Sequence, residues 1–514
     1  MAAATLRVGA QAARRGYPVG AVCPDLPPRG DILMDAESPT PSRPAAGAHG
    51  GRDLTSGPIA RTLLLFALPT LGSNILQSLN GSINAIWVGR FLGENALAAT
   101  SNANLVLFLA LAAVFGFGLA ATILIGQNMG RRDIEGVRRA MGTAVGLFTI
   151  VSALVAVAGY LAAPAILHLL ATPPASVPLA EAYLRVIFIA MPGSFTLVVI
   201  TMGMRGTGDS MTPFWIMILN VILDSGLNPV FIRGLFGAPA LGIAGSATAT
   251  AIAAYVSLVA LIAIIYARDL TVRLRGHELR WLIPDRTLMK VILVKGIPMG
   301  LQMFVISFAG LALIGLINRA GVDVTAAYGV TLQLWTYIQM PALAIGGAVS
   351  AMAAQNVGAR RWDRVGAITR WGVTVNVAIT AALIGLVTLV DRPMLALFLG
   401  HGSPALPIAQ HINLVSSWAF IFFGVTMVIF GTVRATGAVF APLVILAISL
   451  FPIRLGLVFA LWPLIGREAL WWSVPVSSLC SMLMAIAYYR AGRWRRLQMT
   501  TTSPHETAAE ALVG

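Results

Sequence analysis

The chain has 514 residues, of which 57% are hydrophobic and only 11% charged, with a formal net charge of +15; a soluble domain averages about 25% charged. That excludes an ordinary soluble enzyme, and apolar runs of about 20 residues or more are each long enough to cross a ~30 Å hydrocarbon core as a helix. The excess of positive charge fits basic loops of a polytopic membrane protein rather than a nucleic-acid binder.

Strands of alternating polarity are absent, which excludes an outer-membrane barrel. Two cysteines, Cys23 and Cys480, form neither a disulfide framework nor a metal cluster.

Residues 1–52 are rich in Ala, Gly, Pro and Arg without periodicity and are expected to be a disordered N-terminal tail. Arg14-Arg15 is followed by no apolar stretch, so it is not read as a cleaved twin-arginine signal. The apolar pattern then predicts an all-α protein with twelve transmembrane helices, at 59–88, 96–127, 137–168, 178–204, 211–235, 241–267, 288–318, 323–355, 365–390, 405–433, 440–463 and 468–490.

With both ends inside, the inner loops and flanks hold 23 Lys or Arg and the outer side six, namely Arg90, Arg185, Arg233, Arg319, Arg392 and Arg467. The positive-inside rule then expects both termini on the cytoplasmic side of the membrane.

Matched signposts recur at one offset. Pro69 pairs with Pro298, and Arg205, Gly208 and Pro213 pair with Arg434, Gly437 and Pro442, all at 229 residues; Gln127-Asn128 pairs with Gln355-Asn356 at 228. The repeat spans six helices, an even number, so the halves enter the membrane the same way and are related by an axis along its normal. The expected organisation is an N-lobe at 53–267, a basic linker loop at 268–290, a C-lobe at 291–490 and a tail at 491–514.

Asp224 alone among the acidic residues falls in mid-helix. An ionised carboxylate there costs roughly 2.5–3.5 kcal/mol even on insertion scales, so it should face a cavity or a partner. Asn220, Asp224 and Asn228 share one helix face at spacings of four. The first helix supplies Ser73, Gln77, Asn80 and Asn84, and the sixth Thr248 and Thr250. Oxygen ligands around one carboxylate suit a hard cation such as Na⁺, or a protonatable group; against this stands the reading that polar residues only hold helices together.

Arg454, at an offset of 230 from Asp224, is the one deep basic residue. It reads either as a substrate-facing cation for anionic groups or as a snorkelling or paired side chain. Trp87, Trp215, Trp335 and Tyr337 are cavity-lining candidates for flat cations, although interfacial anchoring is the commoner role of such residues.

Other motifs carry little. Gly116-Phe117-Gly118-Leu119-Ala120-Ala121 lies in an apolar run with no preceding strand, so it is no dinucleotide site; His277-Glu278 lacks the second His of a zinc protease; no Walker motif is present.

These residues resemble the MATE family of multidrug and toxic compound extrusion antiporters over nearly all of 59–496. The resemblance rests on Pro69, Val88-Gly89-Arg90-Phe91-Leu92-Gly93, Gly126-Gln127-Asn128-Met129-Gly130, Arg205-Gly206-Thr207-Gly208-Asp209-Ser210, Pro213, Asn228-Pro229, Gly242-Ile243-Ala244-Gly245 and Tyr488-Tyr489-Arg490. It implies two six-helix lobes around a central cavity, rocking between two states and driven by H⁺ or Na⁺.

Many members carry an Asp where this chain has Asn84, and an Asn four residues before an Asp-Pro pair where this chain has Asp224 before Asn228-Pro229. The NorM-like members carry an acid in the seventh helix where this chain has Ile306-Ser307.

The expectation is therefore a secondary active exporter of organic, cationic and lipophilic compounds, not an enzyme. H⁺ or Na⁺ would bind at Asp224, helped by Asn220, Asn228, Asn84 and Thr250. The substrate cavity would be lined by Gln77, Asn80, Trp87, Trp335, Tyr337 and Arg454. No cofactor and no nucleic acid are expected; the partners are small molecules and the lipid bilayer, and the protein is expected to work as a monomer. The alternative on the same fold is a flippase for a lipid-linked sugar, with Arg454 gripping its diphosphate.

Overall fold

A computed structural model describes residues 51–169, 176–400, 402–497 and 499. The expected disorder of the N-terminal tail up to residue 50, and the last residues of the C-terminal tail, lie outside the described residues. The helices are α1 (Ile59–Leu92), α2 (Glu94–Gly130), α3 (Ile134–Leu169), α4 (Val177–Gly206), α5 (Met211–Arg233), α6 (Ile243–Ala267), α7 (Arg286–Asn318), α8 (Val322–Gly358), α9 (Trp362–Leu389), the short α10 (Asp391–Leu399), α11 (Ala405–Ser416), α12 (Ala419–Arg434), α13 (Phe440–Ile465) and α14 (Glu468–Arg490).

Eleven of these are long and apolar enough to cross a membrane, and the bent pair of α11 and α12 makes twelve. The predicted tenth helix is thus two, joined at 42°; the break falls at Ser416-Ser417, where Ser416 Oγ donates to Trp471 O at 3.1 Å, and serine pairs are a known cause of kinks. A π turn, Ser449–Ile453, interrupts α13 around Pro452, whose nitrogen has no hydrogen to give the ladder.

The repeat is visible in the backbone. Arg132 and Arg360 both take positive φ, at 61° and 58°, as do Gly208 and Gly437 at 93° and 95°. The turns after α2 and α8 match bond for bond: Arg131 N donates to Gln127 O at 3.0 Å as Ala359 N does to Gln355 O at 2.9 Å, and Asp133 N donates to Asn128 O at 3.0 Å as Arg361 N does to Asn356 O at 2.8 Å. The π turn adds one residue to the second copy, which is why the offset grows from 229 at Pro213/Pro442 to 230 at Asp224/Arg454.

Lipid tails are as apolar as Leu, so helix association here rests on close packing rather than on water exclusion. The first helix of each half lies partly against the other half. On α1, Leu63, Phe66 and Ala67 pack with Ile345, Val349 and Met352 of α8 and Ile368 of α9. On α7, Ile292 and Met299 join the N-lobe core, and Gly116 meets the α7 backbone so closely that a Cβ there would stand 2.2 Å from Gly300 N.

The linker is no free loop. Its short helix Gly276–Leu282 buries Trp281 under α3, where Arg138 pairs with Glu278 at 2.9 Å and Arg139 with Asp285. The Arg139 hydrogen bond, with the Leu288 N–H behind it, holds the Asp285 carboxyl below the usual carboxylate range. Asp285 also caps α7, accepting from Thr287 N at 2.9 Å and Leu288 N at 3.1 Å. Residues 51–58 and Trp494 lie at the same end, against the last turns of α8 and α12, and with the arginine-rich turns after α2 and α8 they mark the basic end of the bundle.

Candidate functional site

Asp209 starts α5, accepting from Met211 N and Thr212 N, both at 3.0 Å. The helix then runs from the basic end and carries Asp224 at 1% exposure, nine residues short of Arg233 at the far end. Asp224 Oδ2 accepts from Asn80 Nδ2 at 2.7 Å and Asn84 Nδ2 at 2.8 Å, both on α1. Its Oδ1 accepts from Thr250 Oγ1 on α6 at 3.0 Å and from Asn228 Nδ2, one turn on, at 3.2 Å. Asn228 Nδ2 also lies 3.0 Å from Asn84 Oδ1, closing the ring of side chains.

Every bonded partner of the carboxylate is neutral, so four donors replace the water and the counter-ion that a buried charge would otherwise need. Two acceptors in the ring are left over: Asn80 Oδ1 and Asn228 Oδ1 are buried and have no hydrogen-bond partner. A carboxylate, a hydroxyl and two unused amide oxygens form a hard donor set, fit for a small cation or a proton and unfit for a soft metal. The ring opens on a cavity of about 340 Å³, lined among others by Gln77, Asn80, Asn84, Tyr183, Asp224 and Thr250.

The structure gathers Asp224, Asn228, Asn84, Asn80 and Thr250 as the sequence suggested, with Gln77 beside them. It sets others apart. Asn220 donates to Ser257 Oγ at 3.3 Å on α6 and does not reach the carboxylate. Thr248 returns its hydroxyl to Ala244 O, and Trp215 is 60% exposed. Trp87 stacks on Phe91 at 5.0 Å, and the Arg233 guanidinium covers the Phe91 ring at 3.6 Å. Trp335 is buried in the C-lobe core between Tyr328 and Phe420, its indole N–H 3.4 Å from Asn413 Oδ1. Tyr337 is half-exposed on α8. Arg454 donates from Nε to Ser477 Oγ at 2.9 Å and forms no ion pair with a carboxylate among the described residues.

Sequence reasoning missed Tyr183 and Ile187 on α4, and Thr100 and Ser246, all of which line the cavity. Nothing in the spacing of Tyr183 and Ile187 marked them, because they share no polar stripe with Asp224's partners and reach the cavity only through the packing of α4 against its neighbours.

The molecule resembles an outward-facing conformation of a multidrug resistance MATE family transporter of the MOP superfamily, with a TM-score of 0.78 at 19% identity over 85% of this chain and 97% of that one. The bent form of the Vibrio cholerae MATE transporter VcmN gives 0.78 at 20% over 86% and 99%. In sequence it is 34% identical to the probable multidrug resistance protein YoeA of Bacillus subtilis over 86% of this chain and 95% of that protein, and 23% identical to the probable multidrug resistance protein NorM of Thermotoga maritima over 86% and 95%. Residues 69–230 and 298–460 each match MatE, the two copies of the internal repeat, and the chain belongs to the MatE family of transporters.

Proposed function

We propose that the protein is a secondary active efflux transporter that expels small organic compounds, cationic and lipophilic, in exchange for H⁺ or Na⁺, with Asp224 as the group that carries the coupling cation. The observation that carries this reading is the ring around Asp224: a buried carboxylate held only by neutral donors, with Asn80 Oδ1 and Asn228 Oδ1 unused beside it, at the wall of an intramembrane cavity. The names of the Bacillus subtilis and Thermotoga maritima relatives, each a probable multidrug resistance protein, support the export of drug-like small molecules.

The basic end is taken as cytoplasmic by the positive-inside rule, with the membrane a bacterial inner membrane and the monomer as the working unit. A cation arriving at Asp224 from outside replaces the hydrogen bonds of Asn80 and Asn84. Because α1 packs on α8 at its other end, this would bias the two lobes between their states.

One charge crossing 100 mV is worth about 2.3 kcal/mol. At ~150 mV this sustains roughly a 300-fold gradient of a neutral substrate, at 1.4 kcal/mol per tenfold. A monovalent cationic substrate exchanged one for one feels no net work from the potential and draws only on the ion gradient. Gln77 and Asn80 are the substrate contacts that the cavity supports; Trp87, Trp335, Tyr337 and Arg454 line no part of it in this conformation.

The test is dye transport into proteoliposomes under an imposed Na⁺ or H⁺ gradient, comparing wild type with Asp224→Asn. Gradient-driven transport lost in the variant supports the reading and identifies the ion. Transport unchanged in the variant moves coupling elsewhere, and none in wild type under either gradient returns the flippase for an amphiphile.

A further inference from the structure

Two glutamines known so far only as markers of the repeat reach across the lobes at the basic end. Gln127, at the end of α2, donates from Nε2 to Ala435 O at 2.7 Å, just past α12. Gln355, at the end of α8, donates from Nε2 to Gly206 O at 2.9 Å, the last residue of α4. The donors are 228 residues apart and the acceptors 229, so each bond is the repeat image of the other.

Both acceptors are carbonyls at helix C-termini, where the last four have no partner inside the helix. Both glutamines are buried, at 4% and 1% exposure. Between them the backbones touch: a Cβ on Gly130 would stand 1.9 Å from Gln355 O, and one on Gly358 2.0 Å from Gln127 O. Only glycine lets these helix ends meet.

The Gln355 limb carries an addition with no counterpart on the other among the described residues. Gln355 Oε1 accepts from Leu54 N at 3.1 Å, and Asn356 Nδ2 donates to Leu54 O at 3.1 Å. Arg361 and Arg364 hold Thr55 O and Gly57 O at 2.7 and 3.1 Å. The segment before α1 is thereby strapped to the C-lobe with Leu54 fully buried.

We propose that Gln127 and Gln355 are a paired clasp that positions the lobes in the state closed at the basic end, and that its release is the step that opens the cavity to that side. A neutral buried hydrogen bond is worth a net ~1 kcal/mol, because water takes up both groups when it breaks. Such a bond suits a contact that must form and part in every cycle. Each limb would multiply the closed-to-open ratio by about fivefold, and the pair by about 25-fold. The proposal rests on the two-state transport reading.

Its test reads the lobes directly, in full-length protein with Cys23→Ser and Cys480→Ser. Spin labels at Glu135 and Asp363, exposed on the first turns of α3 and α9, report the separation of the lobes without substrate or gradient. Gln127→Leu and Gln355→Leu should each lower the closed-to-open ratio about fivefold, and the double variant about 25-fold. Gln127→Glu with Gln355→Glu should restore the wild-type distribution at low pH, where the protonated carboxyls donate to the same carbonyls. That variant should open as pH rises and the ionised carboxylates face them.

A folded double Leu variant with the wild-type distribution, or a Glu pair whose distances ignore pH, overturns the clasp. Wild type that closes and opens yet transports nothing sinks the efflux reading instead and leaves the clasp standing.

Discussion

The same fold, read twice along the chain, has built an acid-centred polar site beside a cavity in one lobe and a packing of aliphatic and aromatic side chains around a single arginine in the other. In the N-lobe Asn80 and Asn84 of α1 hold the Asp224 carboxylate beside a cavity. At an offset of 229 the C-lobe has Ala309 and Leu313, both buried, and in place of the acid Arg454, bonded to Ser477. Tyr328 stands at the position of the cavity-lining Thr100, edge-on to Trp335 and stacked on Trp471. The lesson is that a shared backbone does not carry the chemistry; the side chains that face inward at a few matched positions do.

The comparison is best broken at its strongest point. Asp224→Asn should bring gradient-driven transport down to the background of empty liposomes while the melting temperature holds or rises, since a buried charge has been removed. Protein that still exchanges ions for dye would mean the polar lobe is not the coupling lobe.

A graded version copies the C-lobe residue into the N-lobe. Asn84→Leu takes one of the two donors from Oδ2, and a hydrogen bond to a charged group is worth ~1.5–3 kcal/mol. The half-saturating Na⁺ concentration, or the pH midpoint of transport, should move by about tenfold or more, and an unmoved midpoint would show that Asn84 does not touch the coupled form.

In the other lobe Arg454→Met should leave transport within about threefold of wild type and cost no thermal stability, because a guanidinium that bonds to the neutral Ser477 and to no carboxylate among the described residues contributes little beyond its packing. Loss of transport in stable protein would make the second lobe a working site and the asymmetry only apparent.

The smallest effect lies outside the membrane. Asp285 has its folded pKa depressed by Arg139, so it adds stability at pH values above the unfolded carboxylate range and loses it as pH falls through the folded value. Asp285→Asn should lower the melting temperature slightly at pH 7, by the equivalent of less than about 1 kcal/mol for a solvent-screened pair. The gap from wild type should begin to narrow below about pH 4 and close only once pH has fallen through the depressed folded value, and a gap that never narrows would assign the effect to the α7 cap alone.

Much of this was legible in the residues themselves. Span count, the repeat and its offset follow from hydropathy and from Pro and Gly positions, which constrain the backbone locally. The Asn228, Asp224 face follows from helical spacing alone, since residues four apart must share a face. The departures also have local causes once seen, Ser416-Ser417 at the bend and Pro452 at the π turn.

What only the tertiary structure decided is which residues of the polar stripes reach the acid and what crosses from lobe to lobe. Asn220 sits on the predicted face but is drawn to Ser257, and Tyr183 joins the cavity from a helix whose polar residues do not mark that face. The bonds of Gln127 and Gln355 join residues some 300 and 150 positions apart. Periodicity reports the faces of one helix; distances between faces of different helices depend on how all of them pack, and no local pattern encodes that.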